Sequence, residues 1–292
     1  MKFRAHDTFA IRKGWLHKGM RYVFKNPRIF VDKSINQMDE LGIGANMVKA
    51  LRYWLQACGL TVETGSTTRS QEFTPFGELV WENDTYMEED GTLYLLHYML
   101  ASNIELATAW YYFFNLYSMT DITKESFIND IKSYISGNNP EPISLRTLED
   151  DFDCIVKTYL SNDNKNNPEN NTDCPFNELK LLSSQEKKNK IYTKSAPTAG
   201  SINPLIILAV IINEKEKNHC DNEIKISKLE KDENNVGKIF NLDNMQIAYY
   251  LDKLQNLGYL RVVRAAGLDI INLKTRLSFT ECVKAYYESL SS

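Results

Sequence analysis

The apolar positions near the amino terminus recur at helical spacing in short, separate runs. Residues 14–25 follow this pattern and stop before an Asn-Pro pair, because proline pushes the preceding residue out of the helical region. A second short helix is expected over residues 32–40, with Asp32 as its N-cap. After a glycine-containing turn at residues 42–44, the pattern predicts a third helix over residues 46–58.

The next residues alternate between apolar and polar types, as in half-buried strands. The runs LTVET and QEFT flank a polar tip at residues 65–70, and Pro75 begins another helix. Helix, helix, turn, helix and hairpin is the order of a winged helix-turn-helix domain, which we assign to residues 1–85.

Residues 86–160 are predicted to form a helical, aromatic and acidic middle region. Its most apolar run, residues 93–117, contains His97 and Glu105, which are costly in hydrocarbon. We therefore expect this run to form a buried helix or helix pair and not a membrane span. It is also a candidate for a subunit interface, in which case the protein would be a homodimer. An Asn-rich linker or insertion is expected over residues 161–175, because such a segment cannot bury an apolar face.

Residues 176–292 repeat the amino-terminal pattern. A helix is predicted over residues 203–216, one or two short helices follow, and Asp243 is expected to cap a long helix over residues 245–257. Two β-rich runs then pair as a hairpin with its tip at residues 265–267. This segment is predicted to be a second winged-helix domain.

An alignment of Gly59 with Gly258 supports the repeat, because Gln56 then matches Gln255 and several apolar positions also coincide. Shared helical periodicity alone would produce some of these matches. The predicted fold is therefore mainly α, with two winged helix-turn-helix domains flanking a helical middle region.

The net charge of −4 conceals an uneven distribution. Residues 1–82 carry a net +4, residues 83–160 carry −9, and residues 161–292 carry +1. Residues 1–35 contain nine basic and two acidic residues interleaved with aromatic side chains. A polyanion would meet the protein there, and the alternative is a solvated basic face without a partner.

The predicted third helix carries side chains suited to reading DNA. Helical spacing places Val48, Leu51 and Leu55 toward the core and leaves amide, phenol and cationic groups outside. The candidate DNA-binding residues of the chain are Arg12, Lys13, Lys18, Asn46, Lys49, Arg52, Tyr53, Gln56, Ser66, Thr67, Arg69, Arg261 and Arg264. The corresponding carboxy-terminal helix presents Asp252 and no cation outward, so it is a poorer candidate for reading DNA than the third helix. Binding of a protein partner is an equally good interpretation of this segment.

Several function classes find no support. The five cysteines are scattered without a Cys-x-x-Cys pair, which indicates reduced thiols, and the histidines lack metal-ligand spacing. The amino-terminal residues do not resemble a secretory signal, so we expect a cytoplasmic protein. The sequence contains no Walker loop, dinucleotide fingerprint or nucleophile elbow.

Three segments carry a family resemblance: FRAHDTFAIRKGWLHKG (3–19), ELGIGANMVKALRYWLQACGL (40–60) and DCPFNELKLL (173–182). Together they resemble the SspB-like family, formerly of unknown function, which is encoded in bacterial DNA phosphorothioate modification and phage-defence operons. The resemblance implies double-stranded DNA as a partner and sulfur-modification proteins as neighbours, namely a cysteine desulfurase and a PAPS-reductase-like protein. It also implies the DNA-nicking activity of the best-known member.

A nickase would use Mg²⁺ or Mn²⁺ held by carboxylates, and no cofactor is otherwise indicated. The catalytic candidates are His6 and Asp7, with Arg12 or Lys18 steadying a phosphate. The alternative for His6 and Asp7 is local capping and a buried hydrogen bond.

Two other carboxylate groups are weaker candidates. The four acidic side chains within residues 149–153 are interpreted as a solvated helix face. Asp173 with Glu178 and Lys180 matches a short nuclease-like pattern that occurs often by chance.

The sequence therefore predicts a double-stranded DNA-binding component of a phosphorothioate-type modification or anti-phage system, with nicking as a further activity. The alternative is a non-catalytic winged-helix adaptor or transcriptional regulator that binds a partner protein.

Overall fold

A computed structural model describes residues 1–65, 69–138, 142–161, 174–186, 190–265 and 268–291, and the protein is mainly helical. The helices are α1 (Trp15–Lys25), α2 (Gln37–Leu41), α3 (Ala45–Ala57), α4 (Pro75–Asn83), α5 (Asp90–Ala101), α6 (Thr108–Tyr111), α7 (Lys124–Asn138), α8 (Leu145–Tyr159), α9 (Pro204–Lys217), α10 (Ile226–Lys231), α11 (Val236–Ile239), α12 (Asn244–Asn256) and α13 (Phe279–Leu290). The strands are β1 (Thr61–Thr64), β2 (Ser70–Phe73), β3 (Leu182–Glu186), β4 (Ile191–Lys194), β5 (Glu223–Lys225), β6 (Leu260–Ala265) and β7 (Leu268–Leu273).

The start of α2 differs from the prediction. Asp32 does not cap the helix; its carboxylate instead accepts hydrogen bonds from the backbone N–H and the hydroxyl of Ser34, at 2.9 and 2.6 Å. The N-cap is Asn36, whose side chain accepts from the N–H of Met38. The competing local turn at Asp32 therefore delays the helix by several residues.

The helix α3 and the hairpin after it follow the predicted pattern. Gly59, with φ of 70°, ends the helix, and β1 pairs antiparallel with β2 in the register Thr61 opposite Phe73. The helix α4 begins at Pro75, and Gly77 lies against the carbonyl of Leu60, where a Cβ would be only 1.9 Å from the oxygen. This close approach fixes α4 against the end of the hairpin.

The middle region is built from deeply buried helices. The helix α5 is buried almost all round, and α6 continues into a five-residue π-helix, Tyr112–Leu116, which the periodicity did not predict. Residues 93–117 therefore form a buried helix pair, as expected. Among the described residues, each helix is too short or too polar to span a lipid bilayer.

The carboxy-terminal third contains the predicted long helix and hairpin, together with elements that were not predicted. Asp243 forms a capping box with Gln246 at the start of α12. The strand β5 extends the hairpin to a three-stranded sheet in the order β5-β7-β6, and a second hairpin, β3–β4, precedes α9. The tip at residues 266–267 and most of the Asn-rich segment, residues 162–173, lie outside the described residues.

The last helix, α13, packs against helices from both halves of the chain. It packs against α9 and α4, and the N–H of Gly91 in α5 donates to the hydroxyl of Tyr286 at 3.2 Å. The hydroxyl groups of Thr92 and Tyr287 lie 2.8 Å apart. The buried apolar residues form one cluster that extends from Ile11 to Tyr287.

Candidate nucleic-acid interface

The amino-terminal half of α3 presents the side chains predicted for DNA reading. Asn46 and Lys49 are exposed, while Val48 and Leu51 are buried on the opposite side. The N-cap is Gly44, which supplies no side-chain acceptor to the first-turn N–H groups. These groups and the helix dipole make this end of α3 a favourable position for a phosphate.

The second half of α3 is in contact with the β1–β2 hairpin. Arg52 Nη2 lies 2.5 Å from Glu63 Oε1 in β1, and Arg52 Nε lies 2.7 Å from the same oxygen. Gln56 Nε2 donates to this carboxylate as well, at 3.2 Å. Glu63 therefore neutralises Arg52 and restrains Gln56, so these two candidates are less available to DNA than Asn46 and Lys49.

The prediction that Tyr53 faces outward is wrong. Its side chain is only 6% exposed, and its ring lies 4.9 Å from that of Trp54 and 6.4 Å from that of His6. The helix is covered on this second side, where Ala50 and Ala57 are also buried. The small residues at i−3 and i+4 from Tyr53 were the available signal for a second buried face.

The predicted cations before and within α1 lie at the surface in varied environments. Lys13 is exposed, the Arg12 guanidinium lies 5.1 Å from the centre of the Trp15 ring, and Lys18 donates to the carbonyl of Leu41 at 3.2 Å. Of the nine basic residues in 1–35, only Arg4 forms a salt bridge with a described acidic residue. The positive charge of this segment is therefore largely uncompensated locally.

The structure describes some, but not all, of the DNA-binding candidates predicted in the two hairpins. Arg69 is exposed beside β2, whereas Ser66 and Thr67 lie outside the described residues. At the carboxy-terminal hairpin, Arg261 is exposed and Arg264 Nε lies 3.6 Å from Asp269. The structure does not bring Arg261 and Arg264 into the amino-terminal set, because they belong to the sheet beside α12.

His6 is paired with a residue from α8 rather than with Asp7. His6 Nε2 lies 2.6 Å from Asp151 Oδ1, and both side chains are essentially inaccessible to solvent. The N–H of Thr8 donates to Nδ1 at 3.0 Å, so the proton of a neutral ring is on Nε2 and is donated to Asp151. The ring stacks at 5.9 Å on Trp54 and meets Trp110 edge-on at 5.5 Å.

Asp151 is a carboxylate in an apolar environment. Burial raises its pKa, while the hydrogen bonds from His6 and from the N–H of Arg4 act in the opposite direction. Its second oxygen, Oδ2, and the indole N–H of Trp110 are buried without a hydrogen-bond partner in the described structure. His6 and Asp151 form a proton-bearing pair, but substrate cannot reach them in this arrangement.

The interpretation of residues 149–153 as a solvated face is therefore wrong for Asp151. It lies on the apolar stripe of α8 with Leu148, Phe152 and Ile155, and this spacing was the signal that it would be buried. The alternative for His6, a buried hydrogen bond, is confirmed. Asp7 is half-buried, with φ of 50°, in the same turn as His6.

The described residues do not fit a resident metal ion. They contain no group of three or more His, Cys, Asp or Glu side chains placed to hold one. The carboxylates of α8 are already engaged, since Asp150 lies 2.6 Å from Arg4 and Asp153 lies 2.6 Å from Lys124. Glu178 is an exposed residue of a short 3-10 turn, Pro175–Leu179, and Lys180 follows that turn and is also exposed. Asp173 lies outside the described part of the chain.

Comparison with known proteins places the whole chain in one group. Residues 3–287 match the family model described as protein of unknown function, DUF4007. A magnesium ion-bound SspB crystal structure is 26% identical, with a TM-score of 0.87, and the match covers 100% of this chain and 89% of that chain. A second SspB crystal structure is 26% identical with a TM-score of 0.83, covering 99% and 94%. No curated protein matches the sequence.

Proposed function

The chain belongs to the DUF4007 family and is SspB-like, and from that premise we propose that it is the double-stranded DNA-binding component of a phosphorothioate-type modification or anti-phage defence system. The observation that carries the proposal is the largely uncompensated positive charge of residues 1–35, from which Lys18 reaches the carbonyl of Leu41 shortly before the exposed start of α3. Sulfur-modification proteins, of the cysteine desulfurase and PAPS-reductase-like types, are its proposed neighbours.

In this proposal the amino-terminal unit acts as a winged helix-turn-helix. The helices α1 to α3 are followed by the β1–β2 hairpin in the order of that domain, and α3 is the reading helix. Asn46 supplies an amide for base edges and Lys49 a cation for phosphate, and the hairpin, which contacts the second half of α3 through Glu63, is the wing. The carboxy-terminal unit, with α12 and the β6–β7 hairpin, is proposed as a second winged helix with a weaker role in DNA binding.

The proposal is tested with the full chain and a fluorescent duplex, by anisotropy. The variant carries Lys13→Glu and Lys49→Glu, because both cations are exposed and neither forms a salt bridge with a described residue. We expect its affinity to fall at least about tenfold, since two attractive interactions with phosphate become repulsive. The matched control is Arg146→Glu with Lys157→Glu, which makes the same change of charge at exposed positions of α8, outside both proposed DNA-binding units.

Two results would contradict this assignment. If the control variant loses as much affinity as the test variant, binding depends on overall charge and not on the amino-terminal face. If the wild-type chain does not bind duplex DNA but co-purifies with a partner protein after nuclease digestion, the adaptor or regulator alternative replaces the proposal.

Strand nicking is a second candidate function, favoured by the similarity to a magnesium ion-bound SspB structure over the full length of this chain. We propose to incubate the purified chain with supercoiled plasmid and Mg²⁺ or Mn²⁺ and to measure the open-circle product. Because the His6 ring is enclosed, loss of product in His6→Ala locates the site only if the variant keeps the wild-type unfolding midpoint. Asp7→Ala, at a half-buried turn position, provides the parallel test with a smaller effect on the core.

A further inference from the structure

An open groove between α1, β2 and α4 has aromatic walls. Its volume is about 440 Å³, and it is lined in part by Phe24, Phe73 and Trp81. The rings form a cluster, with centroids of Phe24 and Trp81 5.5 Å apart and those of Phe73 and Trp81 5.8 Å apart. Phe24 is 67% exposed, so a large apolar side chain faces solvent in the groove. Exposed apolar clusters of this kind mark interaction surfaces.

The groove is also acidic. Its lining includes Glu72, Glu78 and Glu82 and, within the described residues, no Lys, Arg or His. Glu78 and Glu82 lie one turn apart on α4, and neither forms a salt bridge with a described residue. Glu72 accepts hydrogen bonds from the hydroxyl groups of Thr64 and Ser70, at 2.8 and 3.1 Å, which hold its carboxylate beside the groove.

The neighbouring cations of α1 do not neutralise this acidic lining. Arg21 and Lys25 are exposed but do not line the groove, and Lys25 Nζ lies 5.7 Å from the centre of the Tyr22 ring. The groove therefore combines aromatic surface with three carboxylates that form no salt bridge with a described residue. A ligand that fits this groove must therefore carry positive charge and a surface that packs against aromatic rings.

We propose that this groove binds an arginine-bearing segment of a partner protein. A guanidinium group stacks on aromatic rings and donates paired hydrogen bonds to carboxylates, and it is more weakly hydrated than an ammonium group. Aromatic rings also stack on unpaired bases, but the phosphates of a single strand would then face three carboxylates. Charge complementarity thus favours the cationic peptide, and the inference does not rest on DNA binding elsewhere.

The intrinsic fluorescence of the protein reports occupancy of the groove. Of the four tryptophans, Trp15, Trp54 and Trp110 are 7%, 0% and 1% exposed, whereas Trp81 is half-buried and lines the groove. A ligand in the groove therefore changes the emission of Trp81 first. The probe is a short capped peptide of alternating glycine and arginine, titrated into the protein at low salt.

Two variants test the two halves of the proposed recognition. Glu78→Gln with Glu82→Gln removes negative charge, and Phe24→Ala removes an exposed ring with little effect on the core. We expect each variant to weaken peptide binding about three- to tenfold, as expected for partly exposed charge and cation–π interactions. The matched control, Glu105→Gln with Glu125→Gln, removes the same charge at exposed positions outside the groove and should change binding less than about twofold.

Three outcomes would overturn the inference. Equal weakening in the matched control would show general attraction to an acidic protein. Saturable binding of a short oligothymidylate that Phe24→Ala abolishes would assign the groove to single-stranded nucleic acid. Absence of any saturable fluorescence change at millimolar peptide would show that the groove does not bind arginine side chains.

Discussion

At the scale of single residues, the pair formed by His6 and Asp151 joins two parts of the chain that are 145 residues apart. Asp151 Oδ1 accepts from the His6 ring and from the N–H of Arg4. The amino-terminal loop is thereby attached to α8, and Trp54 Nε1 donates to the carbonyl of Phe9 in the same loop. Buried hydrogen bonds to a charged group are costly to leave unmade, so this pair determines where residues 3–9 lie.

We predict that Asp151→Ala lowers the free energy of unfolding by about 2–4 kcal/mol, because the buried donors of His6 and Arg4 lose their acceptor. Asp150→Ala, which removes only the salt bridge to the partly exposed Arg4, should cost less than about 1 kcal/mol. Urea unfolding followed by circular dichroism measures both. Equal losses in the two variants would show that the buried pair has no special role.

Sequence patterns predict part of this arrangement. The i, i+3, i+4 and i+7 apolar spacing around Asp151 indicates a buried carboxylate, but nothing in the local sequence identifies its partner. His6 lies in a loop without periodicity, where three residues, Arg4, Asp7 and Thr8, have positive φ. Contacts between distant segments depend on tertiary packing, which a helical or strand period does not encode.

At the scale of elements, the β1–β2 hairpin limits how much of α3 is available to bind DNA. Glu63 in β1 engages Arg52 and Gln56, so the exposed part of α3 is limited to its first turns. The proposed reading surface is therefore shorter and less cationic than the helix alone suggests. Removing the carboxylate should release Arg52 without disturbing the core, because both partners are partly exposed.

We predict that Glu63→Gln increases the affinity for duplex DNA about two- to fivefold, since one negative charge is removed and one arginine is released. Anisotropy with the labelled duplex measures the change. Glu125→Gln, at an exposed position of α7, is the control for charge alone and should have a smaller effect. A decrease in affinity on Glu63→Gln would mean that the salt bridge itself holds α3 in the binding conformation.

The element pattern was largely predictable where local signals agree. Periodicity, the glycine stops and the Asp243 cap predicted α1, α3, α12 and both flanking hairpins to within about two residues. The prediction that Asp32 caps α2 was wrong because the same side chain can form either an Asx turn or an N-cap, and here it forms the turn. The π-helix and β5 were missed because the first depends on packing in the core and the second on pairing with β7.

At the scale of the whole molecule, His97 connects three helices of the core. Its Nε2–H donates to the carbonyl of Ile239 in α11 at 2.8 Å, so Nδ1 accepts from the hydroxyl of Tyr159 in α8 at 2.7 Å. The residue itself lies in α5 and is fully buried. Burial lowers the pKa of His97 from 6.5 to about 4, because the charged ring is poorly solvated there.

This buried histidine predicts loss of stability in acid. Between pH 6.5 and about 4 the unfolded chain takes up a proton at His97 that the folded chain does not, so stability falls as the pH falls. The contribution that disappears between pH 7 and pH 5 is about 2 kcal/mol. In His97→Gln this part of the pH dependence should be absent, as measured by urea unfolding at the two pH values.

Groups shared by both proteins, including Asp151, cancel in that comparison, although their own pKa values differ from the ordinary range. The same decrease in stability between pH 7 and pH 5 in His97→Gln and in the wild type would show that His97 does not couple protonation to folding.

The central claim, that duplex DNA binds the amino-terminal basic face, is tested most directly by the salt dependence of binding. We expect the logarithm of the wild-type association constant to fall linearly with the logarithm of salt concentration. In Lys13→Glu with Lys49→Glu, the slope should decrease by roughly 0.9 for each phosphate that a lysine no longer neutralises. The control variant, Arg146→Glu with Lys157→Glu, should keep the wild-type slope. Affinity that is insensitive to salt, or an unchanged slope in the test variant, would contradict the claim.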